Sequence, residues 1–315
     1  MKRLRRILYV FEDEPERNAS LARAVDLARR TGASLTLAAV LERPERPEEE
    51  AAARAYETVY RELEREAREA LASIARDHRE GLPGIQCRVL VGTPHVEIVR
   101  EVLREKHDLV MKTASPIGGL AAHLFGTLDT RLVELCPCPV WIDKPIPHER
   151  YERILAAVQV LEQETPEHAV TILEIASSIA EIEQAELHVL NVWSLPGETR
   201  LRGRAFTEAV KREIDMLVEH EQKRHEAALE ALLSPFRERP IEIRAHLVKG
   251  TPEVAIPEQA ERLGIDLIVM GSHVHSHLVG LLLGTVTEAV LRQAKCALLT
   301  VKPPDFETPI TLEES

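Results

Sequence analysis

Asp266-Leu267-Ile268-Val269-Met270-Gly271-Ser272-His273-Val274-His275-Ser276-His277-Leu278-Val279-Gly280-Leu281-Leu282-Leu283-Gly284-Thr285 is the stretch on which the fold turns. It opens on a β-rich run, crosses a glycine-bounded loop and reaches a helix start near Gly284. Its first residues repeat Asp108-Leu109-Val110, and its closing pair repeats Gly126-Thr127 at the same offset. Gly250-Thr251-Pro252 repeats Gly92-Thr93-Pro94 in that register too, as Cys296 repeats Cys138 and Lys302-Pro303 repeats Lys144-Pro145. A gap-free correspondence over the last third of each half identifies an internal duplication.

Outward from this stretch, Arg153-Ile154-Leu155 matches Arg6-Ile7-Leu8 at a shorter offset, which places an insertion near residues 196–204. The boundary falls at residues 145–148, giving one domain over residues 1–147 and a second over 148–315. In the first half, β-rich runs at residues 7–11, 34–40, 85–91, 109–112 and 140–142 alternate with helical patterns. The second half repeats them at 154–158, 186–192, 241–248, 267–270 and 297–301. Alternating strands and helices specify a parallel sheet. The fold class is therefore α/β, with two tandem Rossmann-like domains, each a five-stranded parallel sheet with helices on both faces. Helical stripes are read at Leu63, Ala67, Ala70, Leu71 and Ile74, and at Ile172, Ile175, Ala176 and Ile179. Glu48-Glu49-Glu50 opens a helix, where negative charge complements the dipole.

Composition narrows the function. At 315 residues the chain suits two domains, and 52 acidic against 40 basic residues give a net charge of −12. That sign opposes the counterion release that drives nucleic-acid binding, so no nucleic-acid partner is expected. The apolar run after the basic start ends at Glu12, too short for a signal-peptide core. No stretch approaches the roughly 20 apolar residues that cross a bilayer, so no membrane span is expected. Cys87, Cys136, Cys138 and Cys296 form no C-x-x-C pair and suit a reducing cytoplasm. Cys136 and Cys138 enter a strand and read as small core residues.

In open parallel sheets ligands bind beyond the carboxyl ends of the strands, where the connections diverge. The loop from Gly271 to Gly284-Thr285 resembles the Gly-x2-Gly-x9-Gly-[Ser/Thr] phosphate loop of the universal stress protein family, with Val274 in place of the second glycine. The repeat and the Cys136-Pro137-Cys138-Pro139-Val140-Trp141 ending of the first half resemble its tandem branch. The resemblance implies the adenine nucleotide alpha hydrolase-like fold, a role in the stress response and binding of ATP or another adenine nucleotide with Mg²⁺. By position the resemblance implies that Gly271, Ser272, Gly284, Thr285, Val286 and Thr287 meet phosphate, that Gln159 stands at the ribose and Val192 at the adenine, and that Met270 is a further nucleotide-binding residue. Gln159 lacks the charge of the family's carboxylate. In the first half Thr113-Ala114-Ser115-Pro116 has lost the early glycines, and a proline removes an amide donor, so no phosphate site is expected there. Thr285-x-x-Glu288 has a second reading as a helix capping box.

His273, His275 and His277 form an H-x-H-x-H run whose imidazoles suit Zn²⁺. His220 and His225, five apart on a helix, do not share a face. No G-x-S-x-G, H-E-x-x-H or Walker motif occurs, so enzymatic turnover extends at most to slow ATP hydrolysis. Three readings stand: a nucleotide-binding stress protein, a nucleotide-independent interaction scaffold with protein partners, and a metal-dependent protein using the histidine loop. The last strand of each half is expected at a sheet edge. The resemblance implies that the two edges meet in an internal pseudo-dimer with the nucleotide loops outward, with further homo-oligomers open.

Overall fold

The computed structural model describes residues 4–11, 18–82, 84–114, 126–144, 150–161, 166–204, 207–272, 274–277 and 280–312. The first half runs β1 (Arg6–Phe11), α1 (Asn18–Thr31), β2 (Ser34–Leu41), α2 (Glu50–Asp77), β3 (Ile85–Val91), α3 (Pro94–Glu105), β4 (Leu109–Thr113), α4 (Thr127–Leu135) and β5 (Val140–Asp143). The second runs β6 (Arg153–Ala157), α5 (Pro166–Glu183), β7 (Glu186–Trp193), α6 (Glu198–Gly203), α7 (Glu208–Leu233), β8 (Ile243–Lys249), α8 (Pro252–Leu263) and β9 (Leu267–Gly271). It then continues through β10 (Val274–His277), β11 (Gly280–Leu283), α9 (Thr285–Gln293) and β12 (Ala297–Val301). The short helix α6 lies where the insertion is read.

The repeated aspartates explain why the parallel strands start in register. Asp108 accepts hydrogen bonds from the N–H groups of Arg5 and Arg6 at 2.7 and 3.1 Å. Asp266 does the same for Glu152 and Arg153 at 2.7 and 3.0 Å. Each carboxylate thus pins the first strand of its half beside the fourth. The resulting strand order is β3-β2-β1-β4-β5 in one half and β8-β7-β6-β9-β12 in the other.

β5 and β12 do not remain edges. They pair antiparallel, Ile142 with Leu298 and Val140 with Thr300, and fuse the two parallel sheets into one of ten strands. The true edges are β3 and β8, where exposed Gln86, Arg88 and Arg244 discourage further strand addition. Two cores cover the sheet, and both span the halves. One joins Ile7, Leu35 and Leu37 to Val25 of α1 and Ile172 of α5. The other joins Leu8, Val10 and Ile98 to Ile268, Val290 and Leu298. Each fully buried aliphatic side chain contributes about 1.5–3 kcal/mol.

Three local expectations differ. On α2, Leu71 is buried but Leu63 and Ala70 are exposed, so the buried stripe is narrower than the period suggests. The loop after β9 contains an antiparallel hairpin, Val274 opposite Leu283 and His277 opposite Gly280. Its second strand lies alongside α4, so this loop turns toward the first half rather than wholly outward.

The junction is polar at its ends. Lys144 Nζ donates to the carbonyl of Ala294 at 2.7 Å, and Lys302 Nζ to that of Glu134 at 3.0 Å. Each half thereby caps the last helix of the other with a cation, where the helix dipole favours one. On the opposite face Arg23 reaches Asp143 at 3.5 Å and Glu183 at 3.2 Å, and its guanidinium stacks 3.8 Å from the Tyr151 ring centroid. The Tyr151 hydroxyl donates to Asp143. Burial raises the Asp143 pKa, and Arg23 opposes that shift.

Candidate functional site

β6 lies between β7 and β9. The chain leaves it toward β7 on one side and reaches β9 later on the other, so the connections diverge above its carboxyl end. A cavity of ≈ 400 Å³ opens there. Its floor is Ala157, Val158, Leu190 and Val192 with Met270, and its walls are the first turns of α8 and α9. Of the residues singled out by sequence, Gln159, Val192, Met270, Gly271, Gly284, Thr285, Val286 and Thr287 all line it.

Ser272 stands apart. It is fully buried, its N–H donates to the Val301 carbonyl at 2.9 Å, and its hydroxyl has no hydrogen-bond partner among the described residues. Ala157, Val158, Leu190, Pro252 and Ile256 complete the lining without having been singled out. Pro252 carried a signal, since it closes the repeated Gly-Thr-Pro. The others are apolar positions whose period marks them only as core.

A chain of hydrogen bonds holds the β6 end in place. Asn191 Nδ2 donates to the Val158 carbonyl at 2.9 Å, and Asn191 Oδ1 lies 2.9 Å from His225 Nδ1. His225 Nε2 in turn faces Glu221 at 3.5 Å. His225 therefore acts one layer behind the cavity.

The N-terminus of α9 is the polar part of the wall. Gly284 is its N-cap, with φ −63° and ψ 147°, and no side chain caps the first turn. The capping box read at Thr285-x-x-Glu288 is not formed, because the helix starts one residue earlier than that box requires. Thr285 Oγ1 instead donates to Glu253 at 3.0 Å, and Glu288 pairs with Arg292. Amide groups at an uncapped helix start favour an anion.

The same place in the first half is filled. Lys112 is the fourth residue of β4, as Met270 is of β9, and Asp129 is the third of α4, as Thr287 is of α9. Lys112 Nζ meets Asp129 Oδ1 at 2.5 Å with both side chains fully buried, and Asp129 Oδ2 accepts the Gly126 N–H at 2.8 Å. The α4 N-terminus thus holds an anion of its own. Lys112 could have been suspected from the sequence as the one charge in an otherwise apolar run, Leu109-Val110-Met111-Lys112.

His273 lies outside the described residues. His275 and His277 lie on β10, opposite Leu282 and Gly280. Among the residues described with side chains, no cluster of three histidine, cysteine or acidic groups is arranged to hold a metal. His225 is buried against Asn191 rather than free to pair with exposed His220. Cys136 and Cys138 are buried with their sulfurs 3.6 Å apart, as core residues should be. No helix among the described residues is long and apolar enough to cross a membrane.

Two doubly wound units, one with a cavity at its switch point and one with that place filled, define a tandem α/β protein. The model of the universal stress protein family matches residues 3–144 and again 150–302, and the chain belongs to that family. It is 28% identical over 226 residues to universal stress protein E of Salmonella typhi, covering 70% of this chain and 69% of that protein. Universal stress protein G of Shigella flexneri is 31% identical over 155 residues, which is 48% of this chain and 99% of that protein. A universal stress protein structure from Pseudomonas aeruginosa UCBPP-PA14 superposes with a TM-score of 0.71 at 24% identity, covering 96% of this chain and 94% of its own. That last likeness shows the fold.

Proposed function

We propose that the chain is a stress-response binding protein that takes one adenine nucleotide, in the cavity of its second half. The observation that carries the reading is the contrast between the two helix starts. α9 opens uncapped on a cavity, whereas α4 is closed by Asp129 and Lys112. Val192 and Leu190 offer an apolar seat for the base, Gln159 a neutral hydrogen-bonding partner for the ribose, and Gly271, Gly284, Thr285, Val286 and Thr287 the approach for phosphate. Mg²⁺ would accompany the phosphates, and no general base stands out among the described residues, so hydrolysis is at most slow. The first domain, residues 1–147, serves as a platform for the second, residues 148–315, in a cytoplasmic protein that signals through protein partners.

Calorimetric titration with ATP and Mg²⁺, beside a Gly284→Asp variant, tests this. Aspartate is a favourable N-cap, so the variant should keep its stability while its carboxylate occupies the anion position. One-site binding lost in Gly284→Asp supports the reading. No heat and no thermal stabilisation at millimolar ATP leaves the interaction scaffold. A zinc site on His273, His275 and His277 is a separate proposal, supported by two of the three histidines sharing strand β10. Elemental analysis of protein purified without a histidine tag decides it.

A further inference from the structure

Glu253 is the second residue of α8, directly after Pro252 of the cavity wall. Its carboxylate Oε1 lies 3.0 Å from Thr285 Oγ1, on the first residue of α9. Two helix N-termini therefore converge on one mouth, and the side chain shared between them is an anion. Among the described residues the cavity lining contains neither lysine nor arginine, and Glu288 on the α9 first turn is already paired with Arg292, which leaves Glu253 as the carboxylate facing the mouth. The hydroxyl placed to meet a phosphate is already committed to Glu253, and the position of Glu253 in the first half, where the site is filled, is taken by His95.

A carboxylate beside the phosphate position acts oppositely on two kinds of ligand. It repels each added negative charge, weakly in full solvent and several times more strongly where the wall excludes water. It accepts hydrogen bonds from hydroxyl groups, as Gln159 also can. The uncapped start of α9 favours one anionic group, so the mouth suits hydroxyls and a single phosphate and disfavours the accumulated charge of a free triphosphate.

We infer that Glu253 is a specificity-determining residue that sets the cavity of the second half to prefer an adenine nucleoside or its monophosphate over the free triphosphate. The inference rests on the reading of this cavity as an adenine nucleotide site, and it names which charge state that site selects.

The test is calorimetric titration of the full chain and of Glu253→Gln with adenosine, AMP and ATP. Chelator is present, so that no divalent ion bridges carboxylate and phosphate. Glutamine retains an acceptor for Thr285, which leaves the local hydrogen bond in place. For the wild type, ATP binds more weakly than either adenosine or AMP, by roughly tenfold or more, about 1.4 kcal/mol. Glu253→Gln recovers about that factor for ATP while adenosine affinity stays within about threefold. Wild-type protein that binds ATP as tightly as adenosine, or a variant that shifts both ligands equally, overturns the role of Glu253 and leaves the nucleotide reading intact. If none of the three ligands binds either protein, the nucleotide reading fails and this inference with it.

Discussion

Lys106 and Gly264 show how duplicated positions diverge at single residues. Each ends the helix before the fourth strand of its half in the left-handed region, Lys106 at φ 55° and Gly264 at φ 62°. Only glycine adopts that region without a steric penalty on Cβ. Gly264 also has the Arg153 guanidinium 3.0 Å from where a Cβ would stand. Lys106→Gly should therefore stabilise the protein by about 0.5–1 kcal/mol, part of the relief being offset by unfolded-chain entropy. Gly264→Ala should destabilise it by about 1–2 kcal/mol. Urea denaturation of both variants checks the pair, and equal effects at the two positions would contradict the account.

At the level of elements, the first turns of α4 and α9 decide which half keeps a cavity. Removing one partner of a buried ion pair leaves the other charge without its counter-ion, at a cost of about 3–5 kcal/mol. Lys112→Met alone should show this loss. Lys112→Met with Asp129→Thr restores the residues of the second half and removes both charges, so most of that stability should return. A double mutant no more stable than the single would show that Lys112 and Asp129 do not act as a pair. This difference was only partly legible in the chain. The motif glycines lost at Thr113 and Pro116 marked the first half as diverged, but an Asp129 seventeen residues beyond Lys112 gives no sequence signal that the two touch.

For the whole molecule, the β5–β12 pairing sets how the halves respond to pH. Burial holds Lys144 and Lys302 down to about 8, against about 10.4 for a free lysine. Between those values the unfolded chain binds more protons than the folded one, so folding stability rises with pH across that window. Below about 8 both states are protonated and the penalty is present in full. Wild type should therefore gain on the order of 1–3 kcal/mol relative to Lys144→Met between pH 7.5 and 10. Denaturant titrations at intervals across that range measure the difference. A gap that stays constant would mean that the lysine titrates as it does in solvent.

Periodicity and repetition were enough to place all ten strands of the main sheet, because a parallel α/β unit buries its strands on both faces and its turns recur at fixed spacing. The resemblance of the Gly271 to Thr285 loop to the family's phosphate loop named eight residues that line one cavity, since the carboxyl ends of neighbouring strands meet by topology. What the tertiary structure decided were contacts between groups distant along the chain. These are the pairing of Lys112 with Asp129, the grip of Glu253 on Thr285, the exchange of Lys144 and Lys302 across the junction, and the Arg23 network. None has a period, and each depends on two groups being brought within a few ångströms by packing that neither residue encodes.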